Sequence, residues 1–410
     1  MKKELLLVVV LTGVTLGYLS AQAAEPLRVG LLSNRPGIIK SDGDKFLTAM
    51  NVTIKEINRT GGLLGRPMQL VVEDHQMRPE IALQKLREMI MSDKCEAIFQ
   101  GEGRRAVALA IHEAIPRYKK IFIPMDPWGM DLTGKYFNPY SFRTNTNIAI
   151  MLKAIALFIG EKKKGFRKVY MINMDSSAGQ DAAAYYQKFI REIAPDTQIV
   201  GNDFHPSYPP IIKDFSLYIY KIKASGADYL VTGISGTDNL QLVQQARIFG
   251  LKIPMFGTTT ADLSALSALK GDEAVGNFGV CSYVLGFDTP EAKRFEESFR
   301  QKLGGKWPEE QVWHTYKSVM MYAEAVKNAG SLDTDKVINA FEGMKWNGPT
   351  GIVTMRAKDH QAFSPMIVYQ VVKKTKYYDF PYVKPIQIIP PEQLNYNPEE
   401  FGWKPYMEEK

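Results

Sequence analysis

The sequence predicts an α/β protein of two similar lobes, each a parallel sheet flanked by helices. Three observations carry this. A helix, turn and strand succeed one another within Glu56 to Asp74, EINRTGGLLGRPMQLVVED; short apolar strands then alternate with helical segments; and that rhythm restarts after Phe142. Strands that alternate with helices pair in parallel and bury both faces of the sheet. In the first unit, Phe46, Met50, Ile54 and Ile57 recur near helical spacing, so one helix face is built for burial. Gly61 and Gly62 stop that helix, because glycine takes the left-handed backbone without steric cost. Pro67 bars continuation, and Met68 to Val72 form a mostly buried strand.

Further strands fall near Leu27 to Ser33, Glu96 to Gln100 and Lys120 to Pro124 in the first lobe. In the second they fall near Lys168 to Asn173, Asp228 to Gly233 and Pro254 to Gly257, with helices starting near Ile148, Gly179, Ile211 and Asp238. Gly276 to Leu285 is strand-like and carries the chain back to the first lobe, where helical patterns run from Glu291 to Leu303 and from Gln311 to Ala329. Met366 to Val372 returns to the second lobe. The resulting division is 25–145 with 283–362, and 146–282 with 363–410. The tail from Asp379 is rich in Pro, Tyr and Glu without periodicity, and reads as an extended strap held by Tyr382, Trp403 and Tyr406, or else as a partly disordered end.

Lys2 and Lys3 precede an apolar run from Leu5 to Leu19 that closes on Ala21-Gln22-Ala23-Ala24, the pattern of a cleaved secretory leader over 1–24. The 51 basic and 44 acidic residues leave a formal charge of +7, spread along the chain, which argues for a solvated surface and against a nucleic-acid site. Cys95 and Cys281 stand far apart; spacing leaves a disulfide and two buried thiols equally open.

Together the 56–74 unit, FRTN at Phe142 to Asn145, KDFSLYIYKIKASGADYLVTG at Lys213 to Gly233, QQARIFGLKIPMFG at Gln244 to Gly257 and NGPTGIVTM at Asn347 to Met355 resemble the branched-chain amino-acid-binding family of type I periplasmic binding proteins. The resemblance covers nearly the whole chain after the leader. It implies two Rossmann-like lobes joined by three crossover strands, which close by hinge bending on a small solute. It also implies a monomeric periplasmic receptor that hands its solute to the membrane permease of an ABC importer, with no cofactor and no metal.

Solutes in such sheets sit beyond the strand C-termini, where helix N-termini point. The first loop there is Gly101-Glu102-Gly103-Arg104-Arg105-Ala106, and the exposed N–H groups of the following helix suit a carboxylate. The resemblance implies small hydroxyl residues at the places of Arg104 and Arg105; two arginines at a helix N-terminus oppose its dipole, and a broken local rule points to function. Arg105 matches the contact position. The second loop holds Asp126 and Trp128, the latter either a stacking wall for a flat solute or a rim tryptophan packed on the hinge. In the second lobe the resemblance implies an acid for the solute ammonium, but Thr259 stands there, and the two expected tyrosines give way to Asp175-Ser176 and to Ser235. Asp175 and Asp126 are the substitutes for that acid. Tyr316, with Trp313 and His314, occupies the place where the resemblance brings an aromatic toward the cleft, and a helix-core role suits each of them equally.

The reading is therefore a binding protein for a small carboxylate, aromatic or branched, or for an amino acid. Two alternatives stand beside it. A sensor domain of the same fold would need a signalling partner. A dinucleotide-dependent enzyme is suggested by G-x-G-x-x-A at Gly101 to Ala106 with Asp126 beyond the next strand, although this loop follows a later strand than the fingerprint requires. His112-Glu113 begins a zinc-protease pattern, but Pro116 occupies the second histidine's place.

Overall fold

The computed structural model describes residues 25–34, 42–126, 129–162, 165–206, 213–234, 236–257, 263–269 and 271–407. The leader therefore lies outside the described residues. The first lobe opens β1 (Leu27–Ser33), α1 (Asp42–Arg59), β2 (Met68–Asp74), α2 (Pro79–Met91), β3 (Ala97–Gln100), α3 (Arg105–Ala114) and β4 (Ile121–Pro124). The chain then crosses into α4 (Ile148–Lys162), β5 (Lys168–Asp175), α5 (Ser177–Ile193), β6 (Gln198–Pro206), α6 (Ser216–Ser225), β7 (Tyr229–Thr232), α7 (Gly236–Ile248), β8 (Met255–Gly257), α8 (Leu263–Ala268) and β9 (Phe278–Cys281). It returns through α9 (Pro290–Lys302), α10 (Glu310–Ala329), α11 (Thr334–Phe341) and the strands β10 (Lys345–Gly348), β11 (Gly351–Arg356) and β12 (Gln361–Phe363). It ends in β13 (Met366–Val372), β14 (Tyr382–Ile389) and the short α12 (Pro391–Leu394).

The first sheet runs β2-β1-β3-β4, all parallel, and the second runs β14-β13-β9-β8-β7-β5-β6, parallel from β6 to β9 and antiparallel at β13 and β14. Strand order reverses beside β1 in the first sheet and beside β5 in the second, so a crevice opens at the C-terminal ends of each. The turn after α1 is as its glycines require. Gly62 has φ +76°, and a Cβ there would stand 2.1 Å from the Arg66 carbonyl oxygen, so only glycine closes this turn. Helix α4 is apolar nearly all round and is buried between α5 and the second sheet.

Two segments go beyond the sequence reading. Strand β6 carries a mixed, half-buried pattern because it lies at the sheet edge, and β14 carries Pro385 where its register slips against β13. Beyond β14 the tail is ordered over both lobes. The Arg356 guanidinium grips Asp359 with two bonds of 2.7 and 2.6 Å, reaches the Tyr396 carbonyl at 2.6 Å, and lies over the Phe363 and Tyr396 rings. Asn147 on the first crossover donates to the Tyr396 hydroxyl at 2.6 Å, and Phe401 stacks on Phe189 of α5. Trp403 holds the strap as expected, packing against Phe137 and Lys358. Tyr382 instead belongs to β14 and meets Tyr378. Cys95 and Cys281 are both free and buried.

Candidate functional site

At the C-terminal edge of the first sheet, the loop from Gly101 to Arg104 folds over Ser33, His75 and Gln100. A Cβ on Gly101 would stand 2.6 Å from Ser33 Oγ, and one on Gly103 would stand 2.5 Å from Gln100 Nε2. These glycines let the backbone lie directly on the strand ends. His75 accepts from the Met77 N–H at Nδ1, which leaves its proton on Nε2, and burial lowers its pKa. Gln100 is fully buried, and neither end of its amide finds a partner among the described residues. The Gly103 N–H donates to Asp126 Oδ2 at 3.3 Å, so Asp126 braces this loop against the one that follows β4. Glu102 is half-buried beside them, and its carbonyl accepts from Asn34 N–H.

Arg104 is the N-cap of α3, is exposed, and makes no capping bond through its side chain. Arg105 differs. Its side chain leaves the first lobe and donates through Nη1 to Ser177 Oγ, on the first residue of α5, at 3.2 Å. Nη2 pairs with Asp131, while Nε is buried and meets no partner among the described residues. One guanidinium thus touches both lobes, with its side chain 39% exposed at the seam. From α5, Asp181 faces the same place, since burial and then Asp131 raise its pKa while Arg105 opposes them. Tyr185, one turn on, is pushed up to about 12 by burial, with Asp181 and Asp131 adding to it. The seam therefore holds a cation flanked by two acids and a phenol. Asp131, Ser177 and Asp181 escaped the sequence reading, because neither loop register nor helix phase shows which residues meet across two lobes.

Across the seam, Ser176 caps α5 by accepting from Gly179 N–H at 3.2 Å, and Asp175 is exposed, accepting from Gln180. Asn173 Oδ1 accepts from Gly233 N–H at 2.9 Å and ties together the strand ends on either side of the second switch point. Trp128, Ser235 and Thr259 lie outside the described residues. Tyr316 stands apart from this group. It packs against Phe295 and Phe299 and lines a groove of about 210 Å³ with Glu56, Arg294 and Trp346. Its neighbour Lys317 faces the crossovers, and the roughly 100° turn between successive helical residues sends Tyr316 outward. Trp313 is core, fully buried between Tyr283, Phe295 and Trp346. Among the described residues no group of His, Cys, Asp and Glu could hold a metal, and no helix is long and apolar enough to cross a membrane.

Two sheets, parallel around their switch points, which meet at one seam and are joined by three crossings, are the arrangement of a solute receptor. Residues 26–376 match the periplasmic binding protein family. The chain belongs to that family, and it is similar to branched-chain amino-acid-binding members of it. Leu/Ile/Val-binding protein homolog 4 of Brucella melitensis is 29% identical over 367 residues, 86% of each chain. The closed leucine-, isoleucine-, valine-, threonine- and alanine-binding protein of Brucella ovis superposes with a TM-score of 0.84 at 26% identity, over 91% of this chain and 97% of its own. A solute-binding protein of Rhodopseudomonas palustris in complex with 3,4-dihydroxybenzoic acid shares the fold, with a TM-score of 0.74 at 22% identity, over 89% and 98%. This chain is thus an extracytoplasmic solute-binding protein of the ABC-transporter class, and its relatives are binding proteins of transporters.

Proposed function

We propose that this receptor takes a small carboxylate-bearing solute, an aromatic or branched acid or an amino acid, with Arg105 as its carboxylate clamp. The observation that supports this is the reach of Arg105 from the N-terminal turn of α3 to Ser177 on α5, with no partner for Nε among the described residues. A guanidinium placed where two lobes meet makes its strongest bonds to a planar anion that both lobes enclose, and charge-assisted pairs of this kind are about twice as strong as neutral ones. Asp131 now occupies part of the fork, so an incoming carboxylate shares or displaces it. Once released, Asp131 and Asp181 are acceptors for a donor on the same solute, either a phenolic hydroxyl or an ammonium. The solute bound to one fold neighbour, 3,4-dihydroxybenzoic acid, carries a carboxylate together with phenolic hydroxyls. The N-terminal leader belongs to the same reading, as the export signal of a periplasmic protein.

A thermal-shift panel tests it, with 3,4-dihydroxybenzoate, 4-hydroxybenzoate, leucine and valine set against catechol and isobutylamine, which lack the carboxylate. A solute at one hundred times its Kd stabilises by about 2.7 kcal/mol. Stabilisation by an acid and none by its decarboxylated analogue is the expected result. Equal stabilisation by both rejects the clamp.

A further inference from the structure

The three crossings between the lobes run over one face of α10, a helix of the first lobe that packs along α1. On that face stand Glu310, His314, Lys317 and Ser318, at helical spacings of four, seven and eight. Each meets a crossing. Thr144 Oγ1 on the first crossing lies 2.6 Å from Ser318 Oγ. Ser282 on the second donates its N–H to Glu310 Oε1 at 3.0 Å, and its hydroxyl lies 3.0 Å from His314 Nε2. Ser364 on the third accepts from Lys317 Nζ at 3.1 Å. Lys317, Ser282, Thr144 and Ser318 are all fully buried.

Lys317 is the uncommon member. An ammonium carries three N–H donors, and among the described residues one oxygen meets it, with the Trp313 ring 5.5 Å away. Burial pushes its pKa down to about 7 against the pull of Glu310. Glu310 itself is lowered, because bonds from His314 and Ser282 outweigh its burial, and His314 is lowered by burial despite Glu310. The other titratable groups around the face are Cys281 of β9, Tyr382 of β14, and Glu309, which pairs with Lys45 of α1 at 3.0 Å. Toward Lys317 the crossings present hydroxyls; the charge that the first crossing carries, the buried Arg143 beside Thr144, interacts instead with Tyr396, Asp131 and Asp359. A change in the angle between the lobes would shift these hydroxyls against α10, and with them the surroundings of Lys317.

We infer that Lys317 is a positioning residue for lobe closure, whose protonation state couples the hinge to pH. The closed arrangement, with Arg105 touching Ser177, holds the ammonium under three packed strands and favours the neutral amine. An opened hinge re-solvates the group and favours the cation. A group whose proton affinity is lower in the closed state shifts the balance toward closure as pH rises above about 7, by at most tenfold per pH unit. The inference rests on two-lobed closure and is independent of which solute is bound.

Small-angle X-ray scattering of the full, solute-free protein between pH 6 and 9 tests it without any ligand. The wild type is expected to keep a constant radius of gyration below pH 7 and to become more compact above it. Lys317→Met, confirmed folded by circular dichroism, is expected to lose that dependence. Ser364→Ala keeps the charge but removes its oxygen partner, and is expected to move the midpoint. A wild-type radius that is flat from pH 6 to 9 overturns the inference, as does a folded Lys317→Met with the wild-type profile. If Lys317→Met does not fold, the wild-type profile and the Ser364→Ala midpoint decide, an unmoved midpoint counting against Lys317.

Discussion

Replacing Arg105 with alanine separates binding from stability, because the two depend on different properties of the same side chain. Its pair with Asp131 is between a side chain 39% exposed and one 17% exposed, so solvent screens it and its loss costs stability about 0 to 1 kcal/mol. The bond to Ser177 adds little while the lobes are free to open. In the binding mode proposed above the same guanidinium would be enclosed with a carboxylate, and a hydrogen bond to a charged group contributes about 1.5 to 3 kcal/mol. That is a fall in affinity of roughly 10- to 150-fold, at about 1.4 kcal/mol per decade. Isothermal titration calorimetry with the acid that gives the largest thermal shift measures it, beside a denaturant melt of both proteins. A folded Arg105→Ala variant with affinity within twofold of wild type refutes the clamp. A stability loss of several kcal/mol would show instead that Arg105 is structural. Removing the cation also leaves Asp131 and Asp181 facing each other, so the acid limb of the binding profile should move to higher pH.

Asp359 is fully buried and satisfies the Arg356 fork beneath the strap, so Asp359→Ala strands a largely buried cation and should cost about 3 to 5 kcal/mol in urea melts. His112 is held neutral at about 4 by burial, against an ordinary value of 6.5, with its Nε2–H given to the Tyr136 carbonyl. A lowered histidine contributes stability that is complete above pH 6.5 and is lost as pH falls toward 4, about 3 kcal/mol over the window; His112→Gln should flatten that part of the pH–stability curve. Burial raises the Cys95 thiol to about 12 and Cys281 well above its ordinary value, so neither should react with a thiol-specific reagent at pH 8 until the protein is denatured. Two rapid equivalents in the native protein would contradict their burial.

Much of the framework was legible because it rests on local rules. The stop at Gly61 and Gly62 needs only backbone sterics, and the parallel sheets need only alternation of apolar strands with amphipathic helices. Strand β6 and the edge strand β14 were missed for the converse reason, since an edge strand is half solvated and its apolar pattern weakens. At the seam, Arg105 stood out as a cation at a helix N-terminus, whereas its partners Asp131 and Ser177 carried no local anomaly at all. Tyr316 shows the limit in a single helix: periodicity placed it on α10, but one residue of phase separates a side chain on the crossovers from one on the outer face.

The sequence by itself determined two α/β lobes, the family, and two arginines out of place, because strand alternation, turn glycines and helix dipoles act within about twenty residues. Tertiary structure alone decided that Arg105 bridges to α5, that Arg356 pins the strap, and that α10 sets a buried lysine beneath the hinge. Those contacts join residues 40 to more than 70 positions apart, and such pairings depend on how packed elements are placed, which no local pattern encodes.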